Sequence, residues 1–337
     1  MKRSLSNIRN KISARYSLFI KKTMLNHSPR YMMVEPTNHC NLACPLCPTG
    51  SGTLGVTQGF MDLGNYVRLI NELSPELETI LLWGFGEPLL HPEIFRMIAE
   101  AHSRGITTKV STNGQCFGGR EQCEEIVTCG LTQLRVSLDG LSDKTLQVYR
   151  RGASFEKIIA GLNYIIEAKR RLKSSNPLIL LQFIAMKHNE HEANRIKALA
   201  DEMGIAWRIK TASIGEVETI SNYGKFLPDS GPIRYAVCDC AGGTQHLKPR
   251  LARPHVCPYP WLWAHVNWDG TVVPCCKDPH RQHLLGNAFA EGGFRAVWNN
   301  TTFVTFRETY LRNPAELVRC RKCDYPFQST CFPLQSS

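Results

Sequence analysis

A chain of 337 residues is long enough to bury a sizeable core and sets a prior of about two domains. Its hydrophobic fraction of 43% and charged fraction of 20% are ordinary for a globular protein, and it has neither a bilayer-length apolar run nor the apolar core of a secretory signal, so a cytoplasmic protein is expected. The net charge of +11 is lopsided: residues 1–34 hold eight Lys or Arg and no Asp or Glu, which leaves +3 for the remainder and argues against a body-wide nucleic-acid surface.

The chain opens on a basic arm, residues 1–30, in which Leu5, Ile8, Ile12, Tyr16, Phe19 and Ile20 recur at helical spacing among Lys and Arg. Such a helix either adheres to an anionic membrane surface or acidic partner, or packs its apolar stripe on the body of the protein. The Arg-rich, acid-poor composition also suits an organellar transit peptide. From 31 to 211, strand-like runs alternate with helical patterns. Strands are expected at 31–35, 78–83, 106–111, 132–138, 178–185 and 205–211, with helices near 60–74, 91–104, 119–129, 154–173 and 189–203. This α/β pattern predicts a partial TIM-like (β/α)6 barrel, since a closed barrel needs two further units. Residues 212–256 show no period and read as a connector. A second module, 257–337, begins at Cys257 with an apolar strand, an Asp269-Gly270 hairpin turn, a second strand and a helical pattern from Phe303 to Leu311.

Fourteen cysteines in a long chain without a secretory signal point to reduced thiols that bind metal or do chemistry. Three of them, Cys40, Cys44 and Cys47, lie in PTNHCNLACPLCP at 36–48, just after the first strand. A 4Fe-4S cluster takes four thiolates, so three on one loop leave an iron open to a small molecule. Zinc with His39 as fourth ligand is the alternative for this loop taken alone.

The run resembles the cluster loop of the radical S-adenosylmethionine (SAM) enzymes, and with the motifs below the resemblance extends over residues 30–331. Leu46 stands where that family usually has an aromatic residue, which alters an expected adenine contact and leaves the iron ligands intact. The second strand ends in Gly84-Phe85-Gly86-Glu87-Pro88, similar to the family's GGEP motif, with Phe85 in place of the second glycine. The resemblance implies that Gly84, Gly86 and Glu87 receive the amino group of SAM. It also implies that Ser111 and Asn113 after the third strand, and Ser137 and Asp139 on the fourth, line the SAM pocket. One of Arg150 and Arg151 is then expected to hold a carboxylate, of SAM or of the substrate, through its guanidinium fork.

Cys257, Cys275, Cys320 and Cys323 make a second set, with GTVVPC from Gly270 leading into Cys275. Four thiolates complete either a 4Fe-4S cluster or a structural zinc site. The spacing resembles the SPASM or twitch extension of one radical SAM branch. Because Ser329 and Pro333 occupy places where a two-cluster SPASM domain has cysteines, one auxiliary cluster is expected. Cys238, Cys240, Cys276 and Cys331 are left over, and Cys116, Cys123 and Cys129 read as structural thiols. Asp278, His280 and His283 follow the hairpin; Asp278 is carried as a candidate acid or base.

The resemblance therefore implies a partial barrel with a small C-terminal iron-sulfur domain, which cleaves SAM reductively and uses a 5'-deoxyadenosyl radical to abstract hydrogen from a C–H bond. Its expected cofactors are a SAM-binding 4Fe-4S cluster, one auxiliary 4Fe-4S cluster and SAM, and its expected electron donor is a flavodoxin or ferredoxin. The leading substrate expectation is a small molecule such as an amino sugar, polyol or lipid-linked glycan; a SPASM-type peptide or protein maturase is the alternative. Outside enzymology, the rival is a metal-stabilised nucleic-acid-binding protein, whose binding would reside in the basic arm and depend strongly on salt.

Overall fold

The computed structural model describes residues 5–212, 226–229, 235–239, 245–249, 256–321 and 323. The expected strands form as β1 (Tyr31–Val34), β2 (Thr79–Leu82), β3 (Thr107–Thr112), β4 (Gln133–Ser137), β5 (Leu178–Ala185) and β6 (Ala206–Thr211). They pair in parallel in that order, from Tyr31↔Thr79 through Leu180↔Ala206. Ile80, Leu82, Val110, Leu134, Val136 and Leu181 are fully withdrawn from water, as expected of parallel strands covered on both faces.

The helices between them are α2 (Leu63–Leu73), α3 (Ile94–Ser103), α4 (Arg120–Thr128), α5 (Asp143–Tyr149), α6 (Phe155–Arg171) and α7 (Ala193–Glu202). The first begins later than its apolar pattern suggests. Asp62 caps it by accepting from Asn65 N, while Phe60 bridges to Thr37 and stacks on His39 beside the cysteine loop. Helix α5 was not expected. Its only buried side chain is Leu146, too little to show a period, and the Ser142 cap that starts it reads equally well as a loop residue.

The C-terminal module contributes α8 (Tyr259–Leu262), β9 (Trp263–Val266), β10 (Thr271–Val273), β11 (Gly286–Asn287), α9 (Gly293–Trp298), α10 (Thr301–Arg312) and α11 (Val318–Arg321). Strand β9 pairs in parallel with β1, Tyr31 opposite Trp263, so the hairpin extends the barrel sheet to the order β11-β10-β9-β1-β2-β3-β4-β5-β6. All seven parallel strands consequently present their C-terminal ends at one rim. The connector region falls largely outside the described residues, which include there one antiparallel pair, β7 (Tyr235–Asp239) with β8 (Gln245–Pro249). Two short runs flanking Gly242-Gly243 had escaped a reading by period.

The arm forms α1 (Leu5–Phe19), and of the two readings left open for it, the packing of its apolar stripe on the body is not the one observed. Asn7, Asn10, Ala14 and Ser17 are the buried positions. Asn10 exchanges hydrogen bonds with the backbone of Ser28, and Asn7 donates to Glu76 O. Beyond the helix, buried Arg307 on α10 donates to the carbonyls of Thr23, Pro260 and Trp298 and stacks against Trp298 and Phe303, fastening the arm to the C-terminal module.

Candidate active site

The strand ends and the cysteine loop enclose a cleft of about 200 Å³ lined by Cys40, Cys44 and Cys47, by Trp83 to Glu87, by Ser111 to Asn113, and by Ser137, Tyr149 and Arg150. The parallel ladder explains the convergence: loop 36–48 leaves β1, the Gly84–Pro88 turn leaves β2, and Asn113 follows β3.

Close backbone approach holds the loop in place. Glu87 N donates to His39 O at 2.8 Å, and a Cβ added at Gly86 would lie 2.2 Å from Thr37 O and 2.7 Å from His39 O. Only glycine fits there. Gly50 has the same role at the other end of the loop, where an added Cβ would fall 2.4 Å from Cys44 N.

Glu87 is buried at 2% exposure. Its carboxylate accepts from Asn113 N at 2.7 Å and Leu89 N at 3.0 Å, which ties β2 to β3 and caps a 3-10 turn at Pro88–Leu90. Burial pushes its pKa up to about 6 against those two hydrogen bonds and a third from the Thr112 side chain. A carboxylate has about four acceptor sites, so acceptor capacity remains on this residue of the cleft lining. Asn113 donates to Asn41 Oδ1 at 2.8 Å and lies beside Cys40 Sγ.

Asp139 and Arg150 divide the expected roles differently. Asp139 is fully buried, accepts from Ile184 N at 2.6 Å and pairs with Arg150 Nε at 2.6 Å, and it does not line the cleft. Arg150 does line it, with its guanidinium beside the Cys44 thiol. Arg151 is exposed, and its carbonyl accepts from Ala43 N, so of the two arginines Arg150 faces the cleft. Leu46 turns away and packs with Tyr149 against Ile184, Met186, Ala212 and Phe226.

The donor set fits a 4Fe-4S cluster with one open iron: three thiols on one wall, and polar groups opposite for a small chelating ligand. Burial pushes the Cys40 thiol up to about 11 and raises Cys44 against the pull of Arg150. Both must give up protons as irons bind.

Cys257, Cys275, Cys320 and Cys323 line a second, tighter cavity of about 50 Å³, walled by Tyr259, Pro260, Pro274, Phe306 and Tyr310. Cys275 ends the hairpin, Cys320 sits on α11, and Cys257 N donates to Tyr310 Oη. Burial raises Cys275 well above the usual thiol range, and the proximity of the other three sulfurs adds to it. Four thiols around one small cavity, with Lys277 and Arg319 also in its wall, fit a fully ligated cluster. Asp278 lies outside both linings at 3% exposure and accepts from Gln282 N and His283 N, as a staple of its own loop. His280 contacts Leu54 O, and His283 packs on Phe306. Cys276 lies near Tyr259 Oη, while Cys240 and Cys331 are outside the described residues, as is the Cys238 side chain.

Glu35, missed at the sequence level, is the residue between β1 and Pro36. It is 2% exposed, accepts from Phe85 N at 2.9 Å and fills the space left by Gly84, where an added Cβ would lie 2.3 Å from its Oε2. Arg281, ion-paired with Asp269 in the hairpin, lies near it. Glu35 thus joins β1, the β2 turn and the C-terminal module. Burial pushes its pKa up to about 7, so from about 4.5 to about 7 the folded chain holds a proton that the unfolded chain has released. Stability contributed here is present at acid pH and is lost as pH rises through that window. Glu35→Gln is expected to flatten the pH dependence of thermal stability there and to stabilise the protein above pH 7 by on the order of 2 kcal/mol. Parallel melting-temperature curves for wild type and variant would contradict this.

Fold and clefts together describe a partial β/α barrel with two cysteine-lined cavities, one holding three thiols beside polar groups and one holding four. The radical SAM superfamily model matches residues 34–184, and the SPASM iron-sulfur cluster-binding domain model matches residues 257–324, so the chain carries both domains. Its cofactors are SAM and 4Fe-4S clusters. Among curated proteins it is 24% identical over 304 residues to the tungsten-containing aldehyde ferredoxin oxidoreductase cofactor-modifying protein of Pyrococcus furiosus, covering 82% of this chain and 83% of that one. The mycofactocin maturase MftC of Mycobacterium ulcerans is 24% identical over 318 residues (88% and 81%), and the PqqA peptide cyclase of Ruegeria pomeroyi 26% over 317 (88% and 80%). Among solved structures, SuiB of Streptococcus suis bound to precursor peptide SuiA superposes with a TM-score of 0.62 at 13% identity, covering 91% of this chain and 73% of that one. No described helix is long and apolar enough to cross a membrane.

Proposed function

We propose that this enzyme modifies a side chain of a peptide or protein by radical SAM chemistry. The observation that carries the reading is the kinship, over most of its length, with proteins named as a peptide cyclase and a maturase. The sequence-level preference for a small metabolite gives way to its alternative.

When bound, the SAM-ligated cluster supplies the electron for sulfonium cleavage, and the auxiliary cluster supplies a second one-electron centre. Cys40, Cys44 and Cys47 hold the first, and Cys257, Cys275, Cys320 and Cys323 the second. Glu87 offers its remaining acceptor sites to the ammonium of SAM, and Arg150 offers its outer guanidinium nitrogens to a carboxylate. Ser111, Asn113 and Ser137 supply short polar groups to the ribose side, and Trp83, under the Arg135 guanidinium at 4.9 Å, makes an aromatic wall. Together these groups fix the reacting atoms and exclude water.

The test uses the anaerobically reconstituted full chain with SAM, reductant and synthetic peptides matching each short reading frame beside its gene. One peptide is expected to raise 5'-deoxyadenosine formation above the uncoupled rate and to change mass stoichiometrically. Stimulation by the small-molecule fraction of a cell extract, with no peptide effective, would overturn the peptide reading.

A further inference from the structure

Helix α1 is turned inside out. At about 100° per residue, its buried positions Asn7, Asn10, Ala14 and Ser17 cluster on one side, and Leu5, Ile8, Ile12, Tyr16 and Phe19 lie diametrically opposite. A surface helix normally does the reverse, because sinking its apolar stripe into the core is what stabilises it. Here the inner face is mostly polar, with Ala14 and Leu18 its contacts to the core, and is held by specific hydrogen bonds: Asn10 to the Ser28 backbone, Asn7 to Glu76 O, and Ser6 Oγ to Glu76 Oε1. The outward orientation is therefore built in. Leu5 is 80% exposed, Ile12 64%, Tyr16 61% and Phe19 83%, and Ile20 and Met24 prolong the row.

We propose that this face of α1 docks the enzyme on the interfacial zone of an anionic lipid bilayer. Charge selects the occupant. Arg9, Lys11 and Arg15 flank the stripe, Lys21 and Lys22 follow it, and residues 1–34 contain no carboxylate side chain. Apolar side chains framed by Lys and Arg are what an amphipathic helix inserts at the boundary of headgroups and acyl chains. A second copy of the chain is a poor occupant, because a two-fold contact would set the same basic residues against themselves. The anchoring of α1 to Glu76 and Ser28, and of the segment after it to Trp261 and Arg307, makes docking fix the orientation of the whole enzyme rather than tether it loosely. This inference is independent of the substrate class proposed above.

Vesicle flotation of the reconstituted full chain tests it, with vesicles of phosphatidylcholine alone and of phosphatidylcholine and phosphatidylglycerol in equal parts. Wild type is expected to float with the anionic vesicles, to remain behind with the neutral ones, and to be released as salt rises. Ile12→Ser with Phe19→Ser, and separately Arg9→Glu with Arg15→Glu, are each expected to weaken flotation at least about tenfold, the scale set by withdrawing large apolar groups from water. All four positions are exposed, so iron content and melting temperature should stay at wild-type values. Absence of flotation, or equal flotation of wild type and variants, overturns the proposal. So does a self-association that Phe19→Ser abolishes while vesicles bind nothing, or retention of α1 on an acidic protein but on neither kind of vesicle.

Discussion

Changing Cys40, Cys44 and Cys47 together to alanine is expected to lower the reconstituted iron content from about eight to about four per chain and to abolish reductive cleavage of SAM. The three thiols belong to one loop on one wall of the cleft, and the other four cysteines line a separate cavity under α10 and α11, so loss of the first site leaves the second intact. Iron and sulfide analysis with EPR under anaerobic conditions checks both halves: the variant should retain a cluster signal, and SAM should perturb only the wild-type spectrum. Iron falling to zero would show that the two sites fold as one. Zinc without sulfide in the wild type would remove the chemistry altogether.

The second large effect concerns the Asp139–Arg150 pair. Asp139 is fully buried, and its two oxygens are spent on Arg150 Nε and Ile184 N. Arg150→Met strands that carboxylate in the interior, where an uncompensated charge typically costs about 3–5 kcal/mol. A drop in melting temperature of several degrees is expected, together with loss of SAM binding, because the same guanidinium lines the cleft and favours the Cys44 thiolate. The double variant Asp139→Leu, Arg150→Met separates the two consequences. It should recover much of the stability, since the buried charge is gone, while SAM binding measured by equilibrium dialysis stays lost. Equal destabilisation in the single and double variants would show that the pair is not what the fold depends on.

Much of this arrangement was legible before any coordinates, and the boundary between what was read and what was not is physical. Parallel strands announce themselves as short apolar runs because both faces are covered, so β1 to β6 could be placed. The cysteine loop was legible because its chemistry is local, three ligands within eight residues. Glu35 was passed over because it reads only as the last residue of a short apolar strand, and nothing in the string shows that Gly84 leaves a hole into which it is driven. The choice between Arg150 and Arg151 depended on how α5 ends, and α5 has too little buried surface to leave a pattern. Helix α1 carries a legible apolar stripe, yet periodicity marks only that two faces differ. Which one the protein claims depends on partners far along the sequence, Glu76 among them.

The ladder between β1 and β9 also sets an order of events during synthesis. Tyr31 pairs with Trp263, 232 positions later, so β1 leaves the ribosome long before one of its two neighbours exists. At about 5–20 residues per second that interval lasts roughly 10–50 s. Throughout it one edge of β1 is bare, and a bare strand edge invites pairing with other chains. Glu35, which anchors the start of the cysteine loop, waits just as long for Asp269 and Arg281. The full set of contacts around the start of the cysteine loop is thus completed only when the C-terminal module has been made.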